Sequence, residues 1–453
     1  MKKILCHVGP WSVDQYTFIA KSLSPSANIV ILSGHPECDK SKLFERYFEL
    51  IRKVDGKCEQ ELSTSDELNV VLRCRLLRAL SRPKALIHLR AMRKAIQEIL
   101  DRENPDLILT ETIDSYIMDL LHIESKKRKI RFIGLVPTFI NGYFRITARG
   151  EYVPSRYVSS DEVDKVLQQL LKRSYQPSFL KNNNSRLWMY VVGRWLRNVI
   201  KIPYFLLRRL NHRERFNYHN WATLFVSVQW FHWFPTLNMG NKKWLAMVNQ
   251  NKKKTIYIPL QMIPEATVDY WCEEIDAVDY DAYLIKLIQN LNNDFTFLIK
   301  EHPNVLGYRN PKLYRKLCEI DSVVFAPTNT NSQELIDISD AVLVWTGSVG
   351  FEAAIRGKPV LTMCNPYYAS GDCFKKINLN TPADEIKQHM SVVNKHQVEQ
   401  RSLDLIAHVL SGALPGRYII DGSWSVSNAQ HVAYAENIST QLKCYLNYIS
   451  SQP

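Results

Sequence analysis

Three short segments place reactive side chains where strands end. "FLIKEHPNV" (297–305) is an apolar run that stops abruptly at Lys300, Glu301, His302 and Pro303. "VLVWTGSVGFEAAIRGKPVLTM" (342–363) reads as a strand, a turn of Thr346, Gly347, Ser348 and Gly350, a helix from near Phe351, and a second strand. "YIPLQMIPEATVDYW" (257–271) ends a strand, turns through Pro259 and Pro264, and enters a helix at Pro264–Glu265. A cation, an imidazole, two hydroxyls and glycines that permit φ > 0 and close backbone approach suit an anion; a helix N-terminus adds N–H groups and positive dipole. Strand alternation puts Lys300 and His302 on one side, able to flank a phosphate that the Ser348 turn also holds if the two strands are adjacent. Glu301 then points away into a structural role. Glu352, read within the first helical turn, suits the dipole and could accept from ribose hydroxyls. Gln261 could read a base or sugar, and Glu265 is either a ligand contact or a dipole partner. Each segment alone also fits an ordinary βα turn with a capping acid. A second His-Pro, in "IVILSGHPECD" (29–39), follows a strand without such companions.

The chemistry these residues suit is departure of a phosphate. Positioned cations and N–H groups stabilise charge building on its oxygens, and His302 could protonate it. No Asp-x-Asp metal motif is present, so the expectation is a site without metal or cofactor. A partner carboxylate is expected from the N-terminal half, where "LILTETIDS" (107–115) sets Glu111 and Asp114 just past a strand. Either could act as base or nucleophile, and Asp114 could equally be a helix cap. "HVGPW" (7–11) is another strand-end loop, with His7 as a lesser candidate.

The elements that must hold these residues alternate. Strands are expected at 4–9, 29–34, 106–110, 131–137, 254–260, 295–300, 322–327, 341–347 and 358–363, with amphipathic helices at 82–105 and 268–293 among those between them. This implies α/β units with parallel sheets. At 453 residues two domains are the default. The boundaries read as 1–245, an acceptor-side α/β domain; 246–412, a nucleotide-sugar-binding α/β domain; and 413–453, a helical tail packing back on the first. Two doubly wound, Rossmann-like domains facing a central cleft form the GT-B arrangement, which transferases, epimerases and phosphotransferases share.

Composition bounds the partners. Apolar residues make up 46% and charged residues 23%, and the net charge is +13, which calls for an anionic partner. Segment 186–215 carries eight Lys/Arg against one Glu, interleaved with Trp, Tyr, Phe and Leu. That pattern suits an anionic membrane surface, or a buried helix with a basic edge. No nucleic-acid module is recognisable. Nine cysteines show no paired spacing, which suits a reducing compartment. With no signal-type core and no spanning run, the expectation is a cytoplasmic protein, peripheral on the inner face of the membrane.

"IPLQMIPEAT", "IKEHP" and "TGSVGFEAAIRGKPVLTMCNPYYASG" together resemble the bacterial capsule polysaccharide biosynthesis family, over about residues 254–375. That family includes retaining β-Kdo (keto-deoxyoctulosonate) transferases with a GT-B-like fold. The His-Pro and Ser/Thr-turn pair is also similar to that of bacterial sialyltransferases, where both contact the phosphate of CMP-sugars. The resemblance implies a glycosyltransferase of surface polysaccharide, with a nucleotide-sugar donor, CMP-Kdo or another CMP-ulosonate favoured, and a lipid-linked or glycan acceptor. His302 and Ser348 would hold the nucleotide, with Thr346 and Glu352 near phosphate and ribose. The tail "NPYYASGDC" (365–373) departs from the family's Pro-Phe-Tyr-Ala-Gly-Trp-Gly and leaves the donor open. A CDP-alditol phosphotransferase of teichoic-acid type, a UDP-sugar epimerase and a non-catalytic basic binding protein are the alternatives.

Overall fold

The computed structural model describes residues 1–33, 37–53, 62–172, 243–305, 309–393, 397–420 and 422–451, with isolated positions between 173 and 242. Segment 186–215 lies outside the described residues apart from such positions, and His35 with Pro36 lies outside them altogether.

Along the chain run β1 (Lys3–His7), α1 (Val13–Leu23), β2 (Asn28–Leu32), α2 (Leu43–Lys53), α3 (Thr64–Arg73), α4 (Arg82–Glu103), β3 (Leu107–Glu111), α5 (Tyr116–Lys127), β4 (Arg131–Pro137), β5 (Tyr143–Ile146) and α6 (Ser160–Leu170). Then come α7 (Trp244–Gln250), β6 (Lys254–Pro259), α8 (Ala266–Asp269), α9 (Tyr280–Leu291), β7 (Phe295–Lys300), α10 (Pro311–Cys318), β8 (Val323–Phe325), α11 (Ser332–Ile338), β9 (Ala341–Val344) and α12 (Ser348–Ala354). Last are β10 (Val360–Thr362), β11 (Phe374–Lys376), α13 (Ala383–Val392), α14 (Val398–Ser411), β12 (Leu414–Pro415) and α15 (Ala429–Ser450).

Two compact units divide the chain: Met1–Lys181 with Ala407–Pro453, and Asn182–Ile406. The sequence reading puts its boundaries at 245 and 412 instead. The first division falls among residues outside the described set. The second falls inside α14, where no glycine or proline marks it in the sequence.

In the first unit the strand order is β12-β5-β4-β3-β1-β2, with β2, β1, β3 and β4 parallel and β5 and β12 antiparallel. The apolar strands are buried between helices, as parallel sheets require. The two antiparallel strands escape the sequence pattern. They are short, and Arg145 interrupts β5, buried because it donates to the carbonyls of Gly150 and Glu151. Helix α15 lies on α1, with Ile438 and Leu442 in the same core as Tyr16 and Ile19, and Ser439 bonded to the Ile19 carbonyl.

The second sheet is wholly parallel, in the order β11-β10-β9-β6-β7-β8. Counted from β8 inward and outward again this is 3-2-1-4-5-6, the dinucleotide-binding order. Every residue of β7 is buried, which explains its unbroken apolar run. The helix expected at 268–293 is instead α8, a short 3₁₀ turn and α9. Between them Cys272 lies bonded to Cys364, at the end of β10, with Cα atoms 5.1 Å apart. The two are 92 positions apart in the chain, so only folding reveals the pair, and the cysteines no longer argue for a reducing compartment.

Candidate functional site

In an open α/β sheet the ligand crevice lies outside the carboxyl ends of the strands where the order reverses. In the second unit that point is between β6 and β9. Gln261 follows β6 and Gly347 follows β9, and a Cβ on Gly347 would stand 2.8 Å from Gln261 Nε2. Gly347 has φ −66°, so it serves by lacking a side chain and not by adopting positive φ. Gly350 is a packing residue: its Cβ would meet Val344 Cγ2 at 2.7 Å and the Tyr368 hydroxyl at 2.8 Å. Helix α12 begins at Ser348, three residues before the expected Phe351. Glu352 therefore lies beyond the first turn, and burial, not the dipole, governs it. Its carboxyl is pushed up by desolvation, opposed by Arg356, Ser348 and Lys300. Ser348 Oγ donates to Glu352 Oε1 at 3.4 Å.

Lys300 closes β7. Its Nζ donates to the Thr330 carbonyl at 2.8 Å and to Ser332 Oγ at 2.9 Å. Burial lowers its pKa to about 8, against the pull of Glu352 and Glu334. Strands β7 and β9 are not adjacent, since β6 separates them, so the expected direct apposition is replaced by the Lys300–Glu352 attraction across β6. His302 Nδ1 accepts from the Asn304 amide at 3.2 Å, which puts the proton of the neutral ring on Nε2.

Glu301 turns the other way, as alternation expects, and is buried against Arg309 (Nε to Oε2, 2.6 Å) and the Tyr314 hydroxyl. Arg309 Nη2 also donates to the Gln261 carbonyl at 2.5 Å, and its guanidinium lies over the Tyr280 ring at 5.5 Å. The Gln261 amide donates to the Tyr280 hydroxyl at 3.1 Å. One buried arginine thus ties the end of β6 to the end of β7. Nothing in its sequence setting, "GYRNP", marks it. Glu265 sits at the N-cap of four-residue α8, where its carboxylate accepts from Thr267 Oγ1 at 2.6 Å. The Thr346 hydroxyl donates to the Thr267 carbonyl at 2.9 Å and fastens that loop to β9.

The first unit has its own reversal, between β1 and β3. Glu111 ends β3 there, and its Oε1 accepts from Ser12 Oγ at 3.2 Å. Burial pushes its carboxyl up, and Asp114 adds to the shift. The Tyr16 and Tyr418 hydroxyls, 2.9 Å apart, both feel the Glu111 charge. Asp114 is not the expected cap: Ser115 caps α5, and Asp114 accepts from Arg75 Nη2 at 2.7 Å. His7 ends β1, its carbonyl accepting from Thr110 Oγ1 at 2.8 Å. Tyr418, some three hundred positions beyond Glu111, is invisible to local reading. Among the described residues no group of three or more His, Cys, Asp or Glu is placed to hold a metal ion.

Residues 234–389 match the model of a family described as capsule polysaccharide biosynthesis proteins. The match spans Gln261, Glu265, Lys300, His302 and the 346–352 turn; Glu111 and Asp114 lie outside it. No curated protein matches the chain. Among solved structures it is similar to the Thermosulfurimonas dismutans KpsC β-Kdo 2,7 transferase (15% identity, covering 96% of this chain and 99% of that one, TM-score 0.38). It is also similar to that organism's KpsC β-Kdo 2,4 transferase (14%, 68% and 79%, TM-score 0.32). A third is the S. aureus MnaA–UDP co-structure (13%, 100% and 99%, TM-score 0.30).

Proposed function

We propose that this chain is a glycosyltransferase of surface polysaccharide biosynthesis, taking its nucleotide-sugar at the β6/β9 reversal of the second unit. The observation that carries the reading is the convergence there of Gln261, Lys300 and the Ser348 turn, inside the segment that matches the capsule family. Ser348, Lys300 and His302 hold the phosphate, and Gln261 and Glu352 meet base, sugar or ribose. The bond from the anomeric carbon to the phosphate oxygen breaks with its electron pair passing to the phosphate, where Lys300 and His302 stabilise the charge without reorganising. An acceptor hydroxyl oxygen forms the new bond, and Glu111 is proposed to take its proton; Asp114, engaged with Arg75, is the lesser candidate. The reading needs no metal. CMP-Kdo or another CMP-ulosonate remains the favoured donor by the motif resemblance. Among the described residues no helix is long and apolar enough to cross a membrane. A peripheral place on the cytoplasmic face, near a lipid-linked acceptor, rests on the +13 charge and the composition of 186–215.

A thermal-shift panel with CMP, CDP, UMP, UDP and GDP tests this. A ligand at about 100 times its Kd stabilises the folded state by about 2.7 kcal/mol. One nucleotide is expected to raise the midpoint, and His302→Ala to abolish the rise while keeping the unliganded midpoint. A CMP response supports an ulosonate donor. No response to any of the five would sink the reading.

A further inference from the structure

The segment "NPYYASGDC" (365–373), between β10 and β11, has no part in the chemistry proposed for the β6/β9 reversal. Its Tyr368 is wholly buried, yet the hydroxyl reaches the turn after β9 and donates to the Gly347 carbonyl at 2.5 Å. The same carbonyl accepts from the Gly350 amide at 3.2 Å. Burial above all, with Tyr367 and Glu352 adding to it, pushes the phenol well above its ordinary range, so it stays a donor. Room for the hydroxyl is built into the turn. A Cβ on Gly350 would stand 2.8 Å from it, 2.7 Å from Val344 Cγ2 and 3.3 Å from Val360 Cγ1, and both valines are buried. The Gly347 oxygen therefore faces the packed interior.

A carbonyl oxygen is the negative end of the peptide dipole, and one turned toward the crevice would repel a phosphate. The peptide plane is rigid, so fixing the Gly347 oxygen also fixes the direction in which Ser348 leaves the turn. The phenol itself is held in place: its ring packs against Phe351 and Phe374, with centroids 6.1 and 5.8 Å away. We propose that Tyr368 is a positioning residue of the donor site: without touching the nucleotide, it keeps the Gly347 oxygen out of the crevice and Ser348 directed at the phosphate. The role rests on the nucleotide-binding reading of the β6/β9 reversal.

Calorimetric titration of the full chain with CMP, CDP, UMP, UDP and GDP tests it, in a double-mutant cycle of Tyr368→Phe and Ser348→Ala. Tyr368→Phe removes only the hydroxyl. It should weaken binding of whichever nucleotide the wild-type chain takes by about threefold to tenfold, as one lost hydrogen bond would. Ser348→Ala should weaken it by a similar factor. The double variant should then lose little more than the worse single one, because both changes act through one turn. A hydroxyl that merely supported the fold would lower the melting midpoint and leave affinity alone, or its loss would multiply with that of Ser348→Ala. Should Tyr368→Phe not fold, Gly350→Ala displaces the hydroxyl with the ring left in place and enters the cycle instead, with the same outcomes. Wild-type affinity in folded Tyr368→Phe, or losses that multiply in the double variant, overturns the positioning role and leaves the nucleotide reading standing. A wild-type chain that binds none of the five removes both.

Discussion

The two sheets share a plan but furnish their reversal points with opposite chemistry. At β6/β9 the groups are a lysine, hydroxyls and an amide, with the buried Glu301–Arg309 pair holding the loops from behind. At β1/β3 they are a carboxylate, two tyrosines, a serine and an exposed tryptophan. The first set suits a polyanion that leaves with negative charge. The second suits a hydroxyl group that must give up its proton. The contrast teaches that a fold repeated within one chain supplies only the position of a site. The strand-end loops decide its chemistry.

Three experiments sharpen or break that contrast, beginning with the largest expected effect. Arg309→Met should leave Glu301 buried and unpaired, at a cost of about 3–5 kcal/mol. Urea unfolding should show this loss, and nucleotide binding should fall with it because the Gln261 carbonyl loses its anchor. Arg75→Met, which breaks the half-exposed pair with Asp114, should cost about 1 kcal/mol or less. Equal losses would mean the Glu301–Arg309 pair is no special brace.

Next is the pH dependence of nucleotide binding. Lys300 binds phosphate as the ammonium, and its pKa is lowered to about 8. Affinity measured by calorimetry should therefore hold at neutral pH and fall as pH rises through 8, by at most about tenfold per pH unit. Lys300→Met should bind weakly with a flat profile. A wild-type profile flat from pH 7 to 9.5 would remove Lys300 from the site.

The smallest effect concerns Glu111. Its folded-state pKa is raised above the ordinary 4.5, so the unfolded chain ionises first as pH rises, and the carboxylate destabilises the fold at neutral pH. Glu111→Gln should raise the melting midpoint slightly at pH 7, the gain fading as pH falls toward 4.5 and absent below it, while transfer activity collapses. An unchanged or lowered midpoint at pH 7, with activity kept, would make Glu111 an ordinary structural carboxylate.

Much of the second site was legible because its residues sit where apolar runs end. Lys300, His302, Ser348 and Gln261 were proposed in that way, and each stands at or just past a strand end. Local reading erred where geometry depends on neighbours. It left Gly347 and Gly350 a choice of positive φ or close approach; Gly347, at φ −66°, makes room for Gln261, and Gly350 packs against Val344 and Tyr368. It offered a helix cap as one alternative for Asp114, although Ser115 holds that place and Arg75, on a preceding segment, takes the carboxylate.

The sequence by itself determined the longer parallel strands and the residues able to do chemistry, because apolar runs and their charged ends are local patterns. Only the tertiary structure decided the strand order that sets β6 between β7 and β9. It also decided the arginine that ties two loops, the bond between Cys272 and Cys364, and the closure of Gly422 on Trp11. Each of these joins segments far apart in the chain, and such a partner is chosen by packing, which no local spacing encodes.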